Sequence, residues 1–287
     1  MDEGASSYWT DRGRVRTIGD MPDASGAIGI FDSGVGGLSV LAEVQRLLPG
    51  EDIVYYADSA HFPYGSQPQT VVRGRAEAVT RELIARGVKL VVVACNTATS
   101  AAIAHLRETF DVPFVGMEPA LKPAAERTLA GRVALLVTPG TARGEKLAAL
   151  LDRYGAEVTV SVVEAAGLAE CVESGAIDEP ATRELVRRAL APVRKGGADV
   201  LALGCTHYAF LRQIIEEEAG AGVEVIEPSE AVARQVGQVL KERGLLNARP
   251  SGGEVLYLTS GDEAAFAANR ERLLARRATG PEPQESP

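Results

Sequence analysis

The sequence predicts an α/β fold: two pseudo-symmetric parallel-sheet α/β domains facing a central cleft. Three observations predict it. Short apolar runs rich in β-branched residues alternate with helical stretches along the 287-residue chain, the pattern of parallel strands covered by helices. Two of those runs stop at a cysteine, Leu90-Val91-Val92-Val93-Ala94 at Cys95-Asn96-Thr97-Ala98 and Val200-Leu201-Ala202-Leu203-Gly204 at Cys205-Thr206-His207-Tyr208. The landmarks also repeat. The cysteines stand 110 positions apart, at 95 and 205, and the pairs Glu118-Pro119 and Glu227-Pro228 stand 109 apart. A looser counterpart links residues 28–34 with 133–139. Such self-similarity reads as two related halves.

Taken in order, residues 1–26 are polar and aperiodic and are expected to be a flexible extension. They lack the apolar stretch of a signal peptide. A first strand, 27–31, runs into Asp32-Ser33-Gly34-Val35-Gly36-Gly37-Leu38-Ser39, a glycine-rich turn opening a helix that Pro49-Gly50 ends. Ser39 takes the third glycine position of a dinucleotide fingerprint and no Gly-Lys-Ser/Thr comes after it, so neither nucleotide motif is met. Backbone N–H groups of this turn can still hold a carboxylate. Asp32 is expected both to cap the helix and to reach the substrate. A strand at 53–57 leads to the loop Asp58-Ser59-Ala60-His61-Phe62-Pro63-Tyr64-Gly65 and a helix over 69–86. The Cys95 strand, a helix to about 109 and a strand at 112–115 complete the first run.

The second half opens with a helix to about 129 and a strand at 132–137. Thr138-Pro139-Gly140-Thr141 then leads into a helix, and a strand at 157–163 comes next. Helices are expected over 165–173 and, unbroken, over 179–194. After them come the Cys205 strand, a helix over 229–243, a strand at 255–259 and a helix over 262–276. The expected organisation is a discontinuous first domain, 27–117 plus 228–276, around an inserted second domain, 118–227. Residues 277–287, rich in Pro and Glu, read as a disordered tail.

Composition narrows the function. A net charge of −9 argues against a nucleic-acid footprint. No apolar run has the length of a membrane span. Three cysteines fit a reducing cytoplasm better than a disulfide scaffold. Cys205-x-His207 has no second ligand pair nearby, so no metal site is expected. Cys171 reads as a packing residue, His105 as structural or solvated, and 216–218 as a solvated acidic face; His61 is open.

A cysteine at a strand's carboxyl end beside a helix N-terminus lies where α/β proteins bind ligands, and the helix dipole favours its thiolate. Two thiols on opposite faces of one carbon suit stereoinversion, one removing a proton and the other delivering one. Asp32 and Asp58 in the first half, and His207 and Glu173 in the second, are candidate partners for them.

These residues also carry a resemblance. Asp32-Ser33-Gly34-Val35-Gly36-Gly37-Leu38, Pro63-Tyr64-Gly65, Ala94-Cys95-Asn96-Thr97-Ala98 and Gly204-Cys205-Thr206-His207-Tyr208 resemble, in order and spacing, the four hallmark segments of the glutamate racemase family, over about residues 27–276. The resemblance implies a cofactor-independent isomerase that interconverts L- and D-glutamate and supplies D-glutamate for peptidoglycan. It implies Cys95 as the base for D-glutamate and Cys205 as the base for L-glutamate, assisted by Asp32 and His207. It implies substrate contacts at Asp32, Ser33, Tyr64, Gly65, Asn96, Thr97, Thr206 and His207, and at Thr138 and Thr141 of a Gly-Thr-x-x-Thr turn whose glycine is here Val137. Asp58 and Glu173 are possible helpers. The expected setting is a cytoplasmic homodimer with a small-molecule substrate and no nucleic-acid or membrane partner. Three alternatives stand beside it: a racemase of the same superfamily acting on aspartate or another substrate, a hydrolase using Cys205 as nucleophile with His207, and an amino-acid binding protein without chemistry.

Overall fold

The computed structural model describes residues 23–154 and 158–279. Its strands are β1 (Ile28–Asp32), β2 (Ile53–Ala57), β3 (Leu90–Val93), β4 (Phe114–Gly116), β5 (Arg132–Val137), β6 (Thr159–Glu164), β7 (Val200–Gly204), β8 (Glu224–Ile226) and β9 (Val255–Thr259). They form two sheets, ordered β4-β3-β1-β2-β9 and β6-β5-β7-β8, and every pairing is parallel. Ile28 lies in register with Ile53 and Leu90, and Val133 with Val160 and Val200. In both sheets the first strand sits between the second and the third. Where the winding reverses, the loops leaving the first and third strands diverge and open a crevice at their carboxyl ends. Those ends carry Asp32 and Cys95 in one domain, Thr138 and Cys205 in the other. The shared strand order is the structural form of the internal repeat.

The central strands β1, β3 and β7 are buried along their whole length, which is why they read as unbroken apolar runs rather than alternating ones. On one face of the first sheet, helix Leu38–Leu47 packs through Leu38, Leu41 and Val44 against helix Ser229–Glu242, which offers Val232, Val236 and Leu240. On the other face lie helices Gln69–Ala85 and Asn96–Thr109. The last helix, Glu263–Thr279, stacks Phe266 on Tyr55 at 6.2 Å. It also crosses to the second domain, where Asn269 Nδ2 donates to the carbonyls of Val172 (3.1 Å) and Glu173 (2.8 Å).

Four expectations are corrected. Asp32 is the last residue of β1, and the N-cap position of the next helix is Gly37. The helix expected over 179–194 divides at Leu190 into Pro180–Ala189 and Ala191–Gly196, because Pro192 has no N–H to continue the ladder. The extension expected over 1–26 lies outside the described residues except for its end. There residues 23–26 form a turn, and the buried Lys89 Nζ donates to the Ala24 carbonyl at 2.7 Å. The tail expected from 277 is helical in its first three residues, since the last helix runs to Thr279 and Arg277 pairs with both Glu43 and Glu227. The remainder of that segment, 280–287, lies outside the described residues.

Candidate active site

Both cysteines end their strand runs in extended backbone, but the chain beyond them takes two different forms. Cys95 is the N-cap of helix Asn96–Thr109, and its Sγ accepts the Ala98 N–H at 3.5 Å. Thr99 Oγ1 donates to the Val93 carbonyl and accepts the Met117 N–H, each at 3.0 Å, tying that helix start to β3 and to the segment after β4. Cys205 instead opens a 3₁₀ turn, Thr206–Leu211, and the α-helix Arg212–Ala219 starts only afterwards. Buried Tyr208 pins this turn by donating to the Ala165 carbonyl at 2.8 Å.

A cavity of about 340 Å³ lies where the carboxyl ends of the two sheets meet, within the size range of small-ligand clefts. From the first domain Ser33, Tyr64, Gly65, Cys95, Asn96 and Thr97 line it; from the second come Thr138, Thr141, Cys205, Thr206 and His207. Both thiols border the cavity while remaining 6–7% exposed. Thr97, Thr138 and Thr141 form a triangle of hydroxyls with sides of 3.2, 3.3 and 3.1 Å, linking the domains across the cavity wall. The Asn96 amide is buried with neither its oxygen nor its nitrogen hydrogen-bonded. An unpaired buried amide costs roughly 1–3 kcal/mol, so its place at the cavity wall marks it for a ligand.

Asp32 does not line the cavity. One carboxylate oxygen accepts the Ser33 hydroxyl (3.1 Å) and the Gly34 N–H (2.9 Å), and the other accepts the Thr206 hydroxyl from the second domain (2.9 Å). Ser33 Oγ in turn lies 3.9 Å from Cys95 Sγ. Burial raises the Asp32 pKa above the usual carboxylate value, against the pull of His207 and of its own hydrogen bonds. Burial also pushes the Cys95 thiol well up, reinforced by the charge of Asp32. The helix-end N–H of Ala98 and the Ser33 hydroxyl offset only part of that. At Cys95 the helix end thus acts in the expected direction, and burial with the Asp32 charge outweighs it.

His207 is buried at the cavity wall. Its Nδ1 lies 3.8 Å from Cys205 Sγ and its Nε2 3.0 Å from Glu173 Oε2, and the ring of Phe62 sits 5.3 Å away. Burial alone would lower the imidazole pKa. The hydrogen bonds to Cys205 and Glu173, with the charge of Asp32 nearby, override it and hold the pKa well above the ordinary histidine value. These contacts favour the protonated form of the ring.

Glu173 is not at the cavity wall either, but its place is definite. Besides His207 it accepts the Val35 N–H at 2.8 Å and the Ser59 hydroxyl at 3.1 Å. The carboxylate held by the glycine-rich turn is thus the protein's own. The glycines are required by that close approach: a Cβ at Gly34 would lie 2.2 Å from Glu173 Oε2, and one at Gly36 2.3 Å from His207 Nδ1. Asp58 is buried behind the loop, holding Tyr64 (2.6 Å), Ser260 (2.8 Å) and both ends of the Arg75 fork. Burial opposes its ionisation, yet the bonds from Arg75, Tyr64 and Ser260 keep its pKa below the ordinary carboxylate value. It orients the Tyr64 loop. Of the remaining histidines, His61 bonds Asp58 and His105 bonds Glu77, both away from the cavity. Cys171 is half-buried and outside it.

Among the cavity residues that the sequence patterns do not single out as ligand contacts are Phe62, Arg143 and Glu170. Phe62 has one signal, its position directly before Pro63-Tyr64-Gly65. Arg143 lies two residues past Thr141, on a turn whose hydroxyls alone attract notice.

The fold and the site define a class: two parallel-sheet α/β domains that each present one thiol to a shared polar cavity. Comparison with known proteins agrees. Residues 28–236 match the Asp/Glu/hydantoin racemase family. The chain is 47% identical over 246 residues to the glutamate racemase of Herpetosiphon aurantiacus, covering 86% of this chain and 97% of that one. Its fold superposes on glutamate racemase isoform RacE1 from Bacillus anthracis with a TM-score of 0.81 at 32% identity, covering 87% and 94% of the two chains. The TM-score is 0.77, also at 32% identity, against Escherichia coli glutamate racemase in complex with L-glutamate and the activator UDP-MurNAc-ala, covering 88% and 95%. The chain belongs to the Asp/Glu/hydantoin racemase family, and so to the racemases, a class of isomerase.

Proposed function

We propose that this protein is a cofactor-independent glutamate racemase, using two cysteines to interconvert L- and D-glutamate and so supplying D-glutamate for peptidoglycan in the cytoplasm. One observation carries the reading: a thiol from each of two related domains borders the same cavity. The names of the relatives support glutamate as the substrate. Among the described residues, no helix is long and apolar enough to cross a membrane.

In this reading Cys205, as thiolate, takes the α-proton of L-glutamate. The electron pair of the broken C–H bond stays on Cα and spreads into the carboxylate, and Cys95 gives its S–H proton to the opposite face. The reverse reaction exchanges the roles. The raised Cys95 pKa suits a proton donor, and the His207 imidazolium stands beside Cys205 to stabilise its negative charge. Asn96 and the hydroxyls of Thr97, Thr138, Thr141 and Thr206 hold the substrate's carboxylate and ammonium groups. Asp32 acts through Ser33 and Thr206, Glu173 through His207, and Asp58 through Tyr64; these three are positioning residues.

The line Cys205–His207–Glu173 is also a nucleophile–base–orienter arrangement, which favours a hydrolase as the second reading. That reading leaves Cys95 without a purpose. Proton NMR with L-glutamate in D₂O, with no cofactor added, separates the two. The racemase reading expects loss of the α-proton signal with appearance of D-glutamate, and loss of racemisation in Cys95→Ser and Cys205→Ser. An acyl-thioester on Cys205, detected by mass spectrometry without α-proton exchange, would replace it with the hydrolase. Exchange with aspartate but not glutamate would move the substrate.

A further inference from the structure

Resting on the glutamate racemase reading, we propose that Arg143 is the residue that captures the side-chain carboxylate of the substrate and so selects an acidic amino acid. The substrate would carry two carboxylates and one ammonium. The side chains around the thiols already bring in negative charge, with Asp32 and Glu173 behind the wall and Glu170 on it. His207 is engaged by Glu173 and Cys205. Of the described residues lining the cavity, Arg143 is the remaining cation.

Its surroundings leave it available. No described carboxylate lies within ion-pair distance of it, whereas Arg127, Arg183, Arg249 and Arg276 are each paired with one. Its Nη2 makes a long bond, 3.4 Å, to the carbonyl of Gly65, itself a cavity residue from the opposite domain. That contact places the guanidinium at the seam between the domains. Arg143 is exposed and also borders an adjoining cavity of about 300 Å³. A planar guanidinium presents donors that match a carboxylate in a two-bonded fork. The hydroxyls of Thr97, Thr138 and Thr141 are partly used on one another and are neutral. They can orient a carboxylate but cannot distinguish it from an amide by charge.

The test compares the full chain with Arg143→Met and Arg143→Lys, measuring racemisation of L- and D-glutamate at low and high ionic strength. Arg143→Met is expected to raise KM about 10- to 100-fold, the size of one charge-assisted hydrogen bond, with kcat little changed. Arg143→Lys should recover part of that loss by restoring the charge. The KM of the parent should rise with salt, and that of Arg143→Met should not. An unchanged KM in a folded Arg143→Met variant overturns the proposal. So does a fall in kcat with an unchanged KM and a lowered melting temperature, which would assign Arg143 only the seam contact to Gly65. A parent protein that exchanges no α-proton of glutamate would take down the functional reading itself, and this proposal with it.

Discussion

Replacing Glu173 with Gln tests the electrostatic half of the site while leaving its shape. The glutamine oxygen can accept from Val35 N–H and His207 Nε2–H, as Glu173 Oε2 does now at 2.8 and 3.0 Å. Its amide nitrogen can donate to Ser59, which now bonds Oε1 at 3.1 Å. Only the charge goes. A hydrogen bond to a charged group contributes about 1.5–3 kcal/mol, and the Glu173 side chain is only 17% exposed, so screening by water is limited. At about 1.4 kcal/mol per tenfold, kcat/KM should fall about 10- to 100-fold. Glu173 helps to hold the His207 pKa above its ordinary value of 6.5, so the alkaline limb of the activity profile should move to lower pH. The stability that the raised pKa contributes is fully present below pH 6.5 and is lost as pH rises through the folded value. The variant should therefore lag the parent in stability most below pH 6.5 and approach it at alkaline pH. The assay is kcat/KM against pH in both directions, with melting curves over the same range. Because enantiomers have equal free energies in water, the two directions must fall by the same factor, which checks the data internally. A folded variant with unchanged kcat/KM and an unmoved alkaline limb would refute the role given to Glu173.

Buried charge yields two further expected outcomes. Lys89 and Glu51 pair with side chains 0% and 2% exposed, at the end of the first sheet far from the cavity. Lys89→Met strands that carboxylate with the Asn247 N–H as a remaining donor and should cost about 3–5 kcal/mol in urea unfolding. Adding Glu51→Gln should restore part of it, and a cost under about 1 kcal/mol, as for a surface pair, would sink the assignment. Asp58→Asn should be less stable than the parent at neutral pH. Because the Asp58 pKa is lowered from 3.8, that gap should close as pH falls through the folded value; thermal unfolding that keeps a constant gap into the acid range would contradict it.

The amino-acid sequence alone carries the strands, the repeat and the thiols, because each rests on local chemistry. A strand buried on both faces must be an apolar run, and it must end where a small polar residue turns the chain. Asn96, Thr97 and Thr206 are legible for the same reason, since they sit beside the cysteines, whereas Ser33, Thr138 and Thr141 are marked as substrate contacts only by the family resemblance. Residues acting from a distance are not legible this way. Glu173 is visible in the sequence only as a possible helper; folding of the second domain brings it to His207, and Val35, Ser59 and Asn269 from the first domain then fix it there. Asp32 is expected at the substrate, yet its carboxylate is consumed by Ser33, Gly34 and Thr206, one of them from the other domain. Arg143 gives no signal, since an arginine on a turn is ordinary until folding brings it to a cavity. At Cys95 the helix-end N–H that favours a thiolate acts along the chain, whereas the burial and the Asp32 charge that oppose it come from the packing of β1 beside β3 in the first sheet.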